Sequence, residues 1–200
     1  MIYVQPTNER EGELLLIGPI MDPDAAAEIA KVALDYQGSA TLDFNETIYD
    51  LAPGHYEKTQ VDPEFRDILL SQRDRAAVDS CCRLFELTVE RLYGEEIETV
   101  VTDVMVGALE SPHLDGNSDF RGLVNIGQNS AQLRVWLGSD VLYVPNPSYE
   151  LEESGKETTI TFDHGYGVVL NNRCPVGQRK RHAGVAKNGR TLLRFFGLPA

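Results

Sequence analysis

From about residue 97 onward, short apolar runs alternate with polar punctuation. The runs "IETVVTDVMVG", "FRGLVNIG", "AQLRVWLG", "DVLYV", "ETTITF", "YGVVLNN" and "RTLLRFF" are rich in Val, Ile, Thr and aromatics, and Gly, Asn, Asp and Pro separate them. This texture predicts strands at the spacing of an all-β sandwich or barrel. Strand side chains alternate between faces, so Leu133, Val135 and Leu137 fall opposite Gln132, Arg134 and Trp136. On the last run, Arg190, Leu192 and Arg194 share one face, while Thr191, Leu193 and Phe195 share the other.

The front third has a different period. In "MDPDAAAEIAKVALDYQGS", Asp22 is an N-cap and Pro23 a first helical residue. Ile29, Val32, Ala33 and Tyr36 recur at helical spacing, and Gly38 is a stop signal. Asp62-Pro63 is a second start. From there Phe65, Ile68 and Leu69, then Cys81, Leu84, Phe85 and Thr88, predict one long helix or two abutting ones, ending near Gly94. Strand pieces lie between these helices. No repeat and no linker divides the chain. The expectation is one α+β domain over 1–200, with a helical front over about 1–96 buttressing one face of a double-sheet β core over about 97–200.

Composition narrows the function. The chain has 200 residues, 42% hydrophobic and 24% charged, which suits a globular domain with its own core. Its net charge of −13 repels phosphate backbones, so nucleic acid is not an expected partner. No apolar run approaches the ~20 residues of a membrane helix. The start, "MIYVQPTNEREGE", lacks the basic and apolar pattern of a secretory leader. Three cysteines, Cys81, Cys82 and Cys174, form neither a disulfide framework nor a zinc spacing, and a reducing cytoplasm is the simplest setting.

The candidate chemistry starts at "SPHLDGN", where His113 and Asp115 stand two residues apart. On an extended backbone both side chains point to one face and can bind one metal ion. Alone, such a pair is more often a solvated loop end, so a third ligand is needed. His55 lies in an early loop and His164 in a turn between strands. His182, in "QRKRHAGVAKNGRTLLRFF", stands just before the strand that bears two arginines on one face. Solvent exposure is one explanation for those arginines. The other is an inward guanidinium whose planar fork grips a carboxylate.

His113-x-Asp115, then His182, then Arg190 on the final strand resembles the iron(II)- and 2-oxoglutarate-dependent dioxygenases, in the layout of their small prolyl-4-hydroxylase-like branch. "GYGVVLNNRCPVGQRKRHAGV" is similar to that family's strand–turn–histidine segment, and "GRTLLRFFG" to its closing strand. The resemblance covers residues from about 100 to 197 and the front only in outline. It implies a double-stranded β-helix (jelly-roll, cupin-like) core. It also implies a facial triad of His113, Asp115 and His182 holding Fe(II), with 2-oxoglutarate as cosubstrate and O₂ as oxidant. Cosubstrate decarboxylation to succinate and CO₂ would then drive attack on an unactivated C–H bond. Two neutral imidazoles and one carboxylate leave a ferrous site with a residual positive charge suited to an anionic chelate. Asp115 fills the slot a halide would need, which favours hydroxylation or a related oxidation over halogenation.

The family's basic residue corresponds to Arg190 or Arg194, with spacing and the preceding Gly189 favouring Arg190. Many relatives place a tyrosine on the strand before the His-x-Asp pair. "TDVMVGALESPH" has none, and Arg134 or Asn125 are the candidates to replace it. Arg179, Lys180 and Arg181 could line the mouth or simply be solvated, and "PNPSYELEESGKE" has the composition of a lid loop. Tyr49, His55 and Tyr56, in a long early loop, and Trp136 are candidate substrate contacts, with surface-loop and core roles as the plainer alternatives.

The expected partner is a small molecule, such as an amino acid or biosynthetic intermediate. A peptidyl or protein hydroxylase of the same fold is the alternative. A cupin-like metal isomerase or hydrolase would use the three ligands without Arg190, and a non-catalytic binding module would use no metal. Oligomeric state is not legible.

Overall fold

Asp22 and Pro23 open a helix as their chemistry predicts. In a computed structural model describing residues 14–35, 41–42, 46–50, 70–108, 119–137, 156–172, 181–185 and 190–200, helix α1 spans Pro23–Asp35. The Asp22 carboxylate accepts from the Ala25 amide at 2.9 Å, meeting one of the donors that a first turn leaves open. Ala25, Ala26, Ile29, Ala30 and Ala33 make its buried stripe. Helix α2 spans Gln72–Tyr93, with Ser71 as N-cap accepting from the Asp74 amide. Its end is set by Gly94 at φ 68°, a left-handed conformation that an L side chain resists. The sequence-level start at Pro63 lies outside the described residues. Among the described residues, no helix is long and apolar enough to cross a membrane.

The strands, in chain order, are β1 (Leu14–Ile17), β2 (Thr41–Leu42), β3 (Glu46–Asp50), β4 (Ile97–Gly107), β5 (Phe120–Asn125), β6 (Ala131–Leu137), β7 (Lys156–Phe162), β8 (Gly167–Asn171), β9 (Arg181–Gly184) and β10 (Thr191–Pro199). All described pairings are antiparallel. They make a larger sheet in the order β1-β8-β5-β10-β4-β3-β2 and a smaller one in the order β7-β6-β9. The front therefore does more than buttress the core: its strand pieces extend the larger sheet at both edges. Tyr49 was expected in a loop, but its backbone lies in β3, opposite Val104 of β4. The run "DVLYV" lies outside the described residues.

Alternation assigns the two faces of the larger sheet. Val104, Phe120, Val124, Val169, Leu193 and Phe195 pack against α1 and α2, where Phe85 stacks on Phe195 at 5.5 Å between ring centroids. Met105, Leu123, Val168, Leu170 and Leu192 face the other way and pack on Ala131, Leu133, Val135 and Phe162 of the smaller sheet. The result is helices, large sheet and small sheet in three layers, with two apolar cores. His164 stays in its predicted turn, between β7 and β8. Its two ring nitrogens lie 2.9 Å from the Gly127 carbonyl and 3.0 Å from that of Pro23, tying this turn to α1 and to the turn after β5.

Cys81 belongs to the helix-side core, and burial pushes its thiol from an ordinary 9.0 up to about 12, with Cys82 adding to the rise. The folded state thus holds a proton that the unfolded thiol releases. Stability from this group is complete below the unfolded pKa and is lost as pH rises through the folded value. The urea midpoint should therefore fall as pH is raised above about 9, and Cys81→Ala should flatten part of that fall. A midpoint with the same pH dependence in both proteins would contradict this account.

Candidate functional site

The centre of the large sheet decides what the space between the sheets contains. β10 pairs with β4 on one side and β5 on the other. Arg190 just before it and Leu192, Arg194 and Phe196 on it point inward, in agreement with the face predicted from alternation. Arg194 is 5% exposed and cannot remain in an apolar layer without a counter-charge. Asp103 stands directly opposite it in the register of β4. The Arg194 Nε and Nη2 donate to the two Asp103 carboxylate oxygens at 2.5 and 2.9 Å, and Nη1 reaches Met105 Sδ at 3.5 Å. Asp103 is 0% exposed, so this is a fully buried two-point ion pair. Phe196 lies nearby, with the Arg121 guanidinium 4.6 Å and that of Arg194 5.5 Å from its ring centroid.

Arg190 is placed differently. It immediately precedes β10 and is 4% exposed. Its Nη1 donates to the Gly107 carbonyl at 2.5 Å, while the Gly107 amide donates back to the Arg190 carbonyl at 2.9 Å. The guanidinium lies against Gly184 of β9. On β9, Gly184 pairs with Leu133 and His182 with Val135. Leu133 and Val135 point into the small-sheet core, so His182 and Gly184 point there too. His182 is 3% exposed. An imidazole and a guanidinium thus occupy one inner face, two strand positions apart.

The other predicted site residues divide three ways. His113 and Asp115 lie in 109–118, outside the described residues, as do His55, Tyr56, Arg179 and Lys180 and the segment 145–155; the side chains of Tyr49, Trp136 and Arg181 are likewise outside. Among the described residues, no three potential metal ligands gather. Asn125 is buried and its amide is committed to the turn after β5: Nδ2 donates to the carbonyls of Asn129 and Phe162, and Oδ1 accepts from the Gly127 amide. Arg134 is half-buried on the face of β6 opposite Leu133 and Val135. Sequence reasoning missed Asp103. Its signal was a lone acid in the apolar run "TVVTDVMV", which has no meaning until the register with β10 is known.

Comparison with solved structures shows the fold. The chain is similar to the epimerase SnoN in complex with Fe3+, alpha ketoglutarate and nogalamycin RO, at a TM-score of 0.62 and 13% identity, over 96% of this chain and 80% of that one. SnoN is described as a non-heme alpha ketoglutarate dependent epimerase from nogalamycin biosynthesis. The chain is also similar to AviO1 from Streptomyces viridochromogenes Tue57, at a TM-score of 0.57 and 13% identity, over 94% of this chain and 90% of that one. No family model matches the chain, and no curated protein matches it in sequence.

The Asp103–Arg194 pair carries a stability prediction. Removing one partner strands a buried charge, which costs about 3–5 kcal/mol, whereas an apolar replacement of both is often near neutral. Arg194→Met should lower the denaturation midpoint sharply, and Asp103→Leu with Arg194→Met should recover most of the loss. Additive losses in the double variant would show that the two side chains are not coupled.

Proposed function

We propose that the chain is an iron(II)- and 2-oxoglutarate-dependent oxygenase that oxidises an unactivated C–H bond of a small molecule, with hydroxylation as the favoured outcome. The observation that carries this is the placement of Arg190 beside His182 on one buried inner face. A histidine and a guanidinium two strand positions apart offer a metal ligand and a carboxylate clamp within one space. The strand order supports a jelly-roll reading: the chain passes between the sheets, with β4, β5, β8 and β10 in one and β6, β7 and β9 in the other. β4 leaves β10 beside Thr191, whereas β5 begins opposite Gly197. The described ends that flank residues 109–118 therefore lie at opposite ends of β10.

The described residues fit the implied group. His182 is buried and inward, and the absent side chain at Gly184 leaves room for the Arg190 guanidinium. His182, His113 and Asp115 would hold the ion, which when bound supplies the oxidising chemistry. Arg190 would take the distal carboxylate of the cosubstrate through two parallel hydrogen bonds. Leu133, Val135, Met105 and Leu192 exclude water and lower the local dielectric, strengthening that contact. Arg194, already gripped by Asp103, is the poorer anchor, and Arg190 is the residue assigned this role. Asn125, committed to its turn, would act through the backbone it fixes.

Anaerobic iron(II) and 2-oxoglutarate should give a weak visible charge-transfer band. His182→Ala should lose the band through loss of metal affinity. Arg190→Ala should keep the metal but weaken 2-oxoglutarate binding about a hundredfold, as expected when one partner of a buried charged hydrogen bond is removed. Substrates can then be screened by succinate release, with gain of one oxygen atom in the product marking hydroxylation. Catalysis untouched by Arg190→Ala would favour a cupin-like metal isomerase or hydrolase, and a protein showing no band would be a binding module.

A further inference from the structure

We propose that Gly184 is a positioning residue: its missing side chain lets the Arg190 guanidinium lie across β9 next to His182, so that a side chain at 184 weakens 2-oxoglutarate binding while leaving metal binding intact. The inference rests on the assignment of Arg190 as the carboxylate clamp. A Cβ at Gly184 would stand 3.1 Å from Arg190 Nη2 and 3.2 Å from its Cζ, and 2.8 Å from the Ala108 Cβ. Those distances are shorter than ordinary van der Waals contact, so the neighbours must yield.

The guanidinium has little freedom to do so. It is buried, and its Nη1 is held by the Gly107 carbonyl, one residue before Ala108. A displacement would misalign the fork that a carboxylate needs, since two parallel hydrogen bonds demand a fixed plane. The nearest atoms a Cβ at Gly184 would meet belong to Ala108 and Arg190. Position 184 therefore acts first on the guanidinium. The backbone of β9 continues normally beyond it, with the Val185 amide donating to the Gln132 carbonyl at 3.3 Å. Gly184 thus serves close approach rather than a turn.

The test is calorimetric titration of 2-oxoglutarate into Mn(II)-loaded protein, alongside titration of Mn(II) alone and a melting curve for each variant. Gly184→Ala should weaken 2-oxoglutarate binding about tenfold, the scale of one compromised charge-assisted hydrogen bond, with Mn(II) affinity unchanged. Arg190→Ala with Gly184→Ala should bind no more weakly than Arg190→Ala alone, because the residue that 184 positions is gone. Ala108→Gly with Gly184→Ala removes the closest clash while keeping the one with Arg190, and it carries the test if Gly184→Ala alone does not fold. It should remain weak. Recovery of wild-type affinity in that double variant would overturn the proposal, as would equal loss of Mn(II) and 2-oxoglutarate. Failure of the two proposals is separable. If Arg190→Ala binds 2-oxoglutarate normally, the clamp assignment falls and the role of Gly184 with it. If Arg190→Ala is weak and Gly184→Ala is not, only the role of Gly184 falls.

Discussion

Two opposite charges sealed between sheets set the register on which the inner face depends. Arg194 and Asp103 meet in a two-point ion pair with neither open to solvent. A slip of one residue between β10 and β4 would turn one of the two partners toward the helix-side core, where Phe85 stacks on Phe195. The penalty for a stranded buried charge makes that alternative costly. With Arg194 fixed, Arg190 four residues earlier must enter the same space, and Leu192 between them must join the apolar packing. The pair is therefore better understood as a constraint on alignment than as a source of net stability.

The helices secure the same arrangement from outside. Val78, Cys81, Phe85 and Val89 of α2 and Ala26, Ile29, Ala30 and Ala33 of α1 cover the outer face of the large sheet. The central strands β5 and β10 are thereby buried on both sides. β5 and β10 consequently read as nearly continuous buried runs, and alternation shows there as a difference in partner, not in polarity. Arginines in such a strand are informative because solvent is not available to either face.

Much of this was legible in the residues, for local reasons. β4 has the bounds of the run "IETVVTDVMVG", the cap at Asp22 and the stop at Gly94 act within one turn, and the alternation of β10 needs no knowledge of its neighbours. What remained hidden is non-local. Asp103 and Arg194 are far apart in the chain, so only pairing register reveals that one answers the other. Asn125 invited a cosubstrate role because one of its hydrogen-bond partners, the Phe162 carbonyl, lies on a strand far along the chain. β3 is short and bordered by polar residues, and its pairing with β4 is a tertiary choice that local propensity does not announce. The proposed triad straddles this divide: His182 is seen on the inner face, whereas His113 and Asp115 lie outside the described residues.

Arg190 and Arg194 illustrate how one residue type takes two roles on one strand face. Sequence spacing leans toward Arg190 as the ligand-binding residue but does not by itself separate two arginines that are both inward and both buried. Their partners do. Arg194 meets a carboxylate of the protein, which commits the planar fork to an internal acid. Arg190 Nη1 donates to the Gly107 carbonyl, and the guanidinium lies against a strand position with no side chain. A guanidinium held by a backbone dipole keeps a defined plane, and the bare backbone beside it allows close approach. In this chain that close approach comes from a glycine two residues beyond the buried histidine.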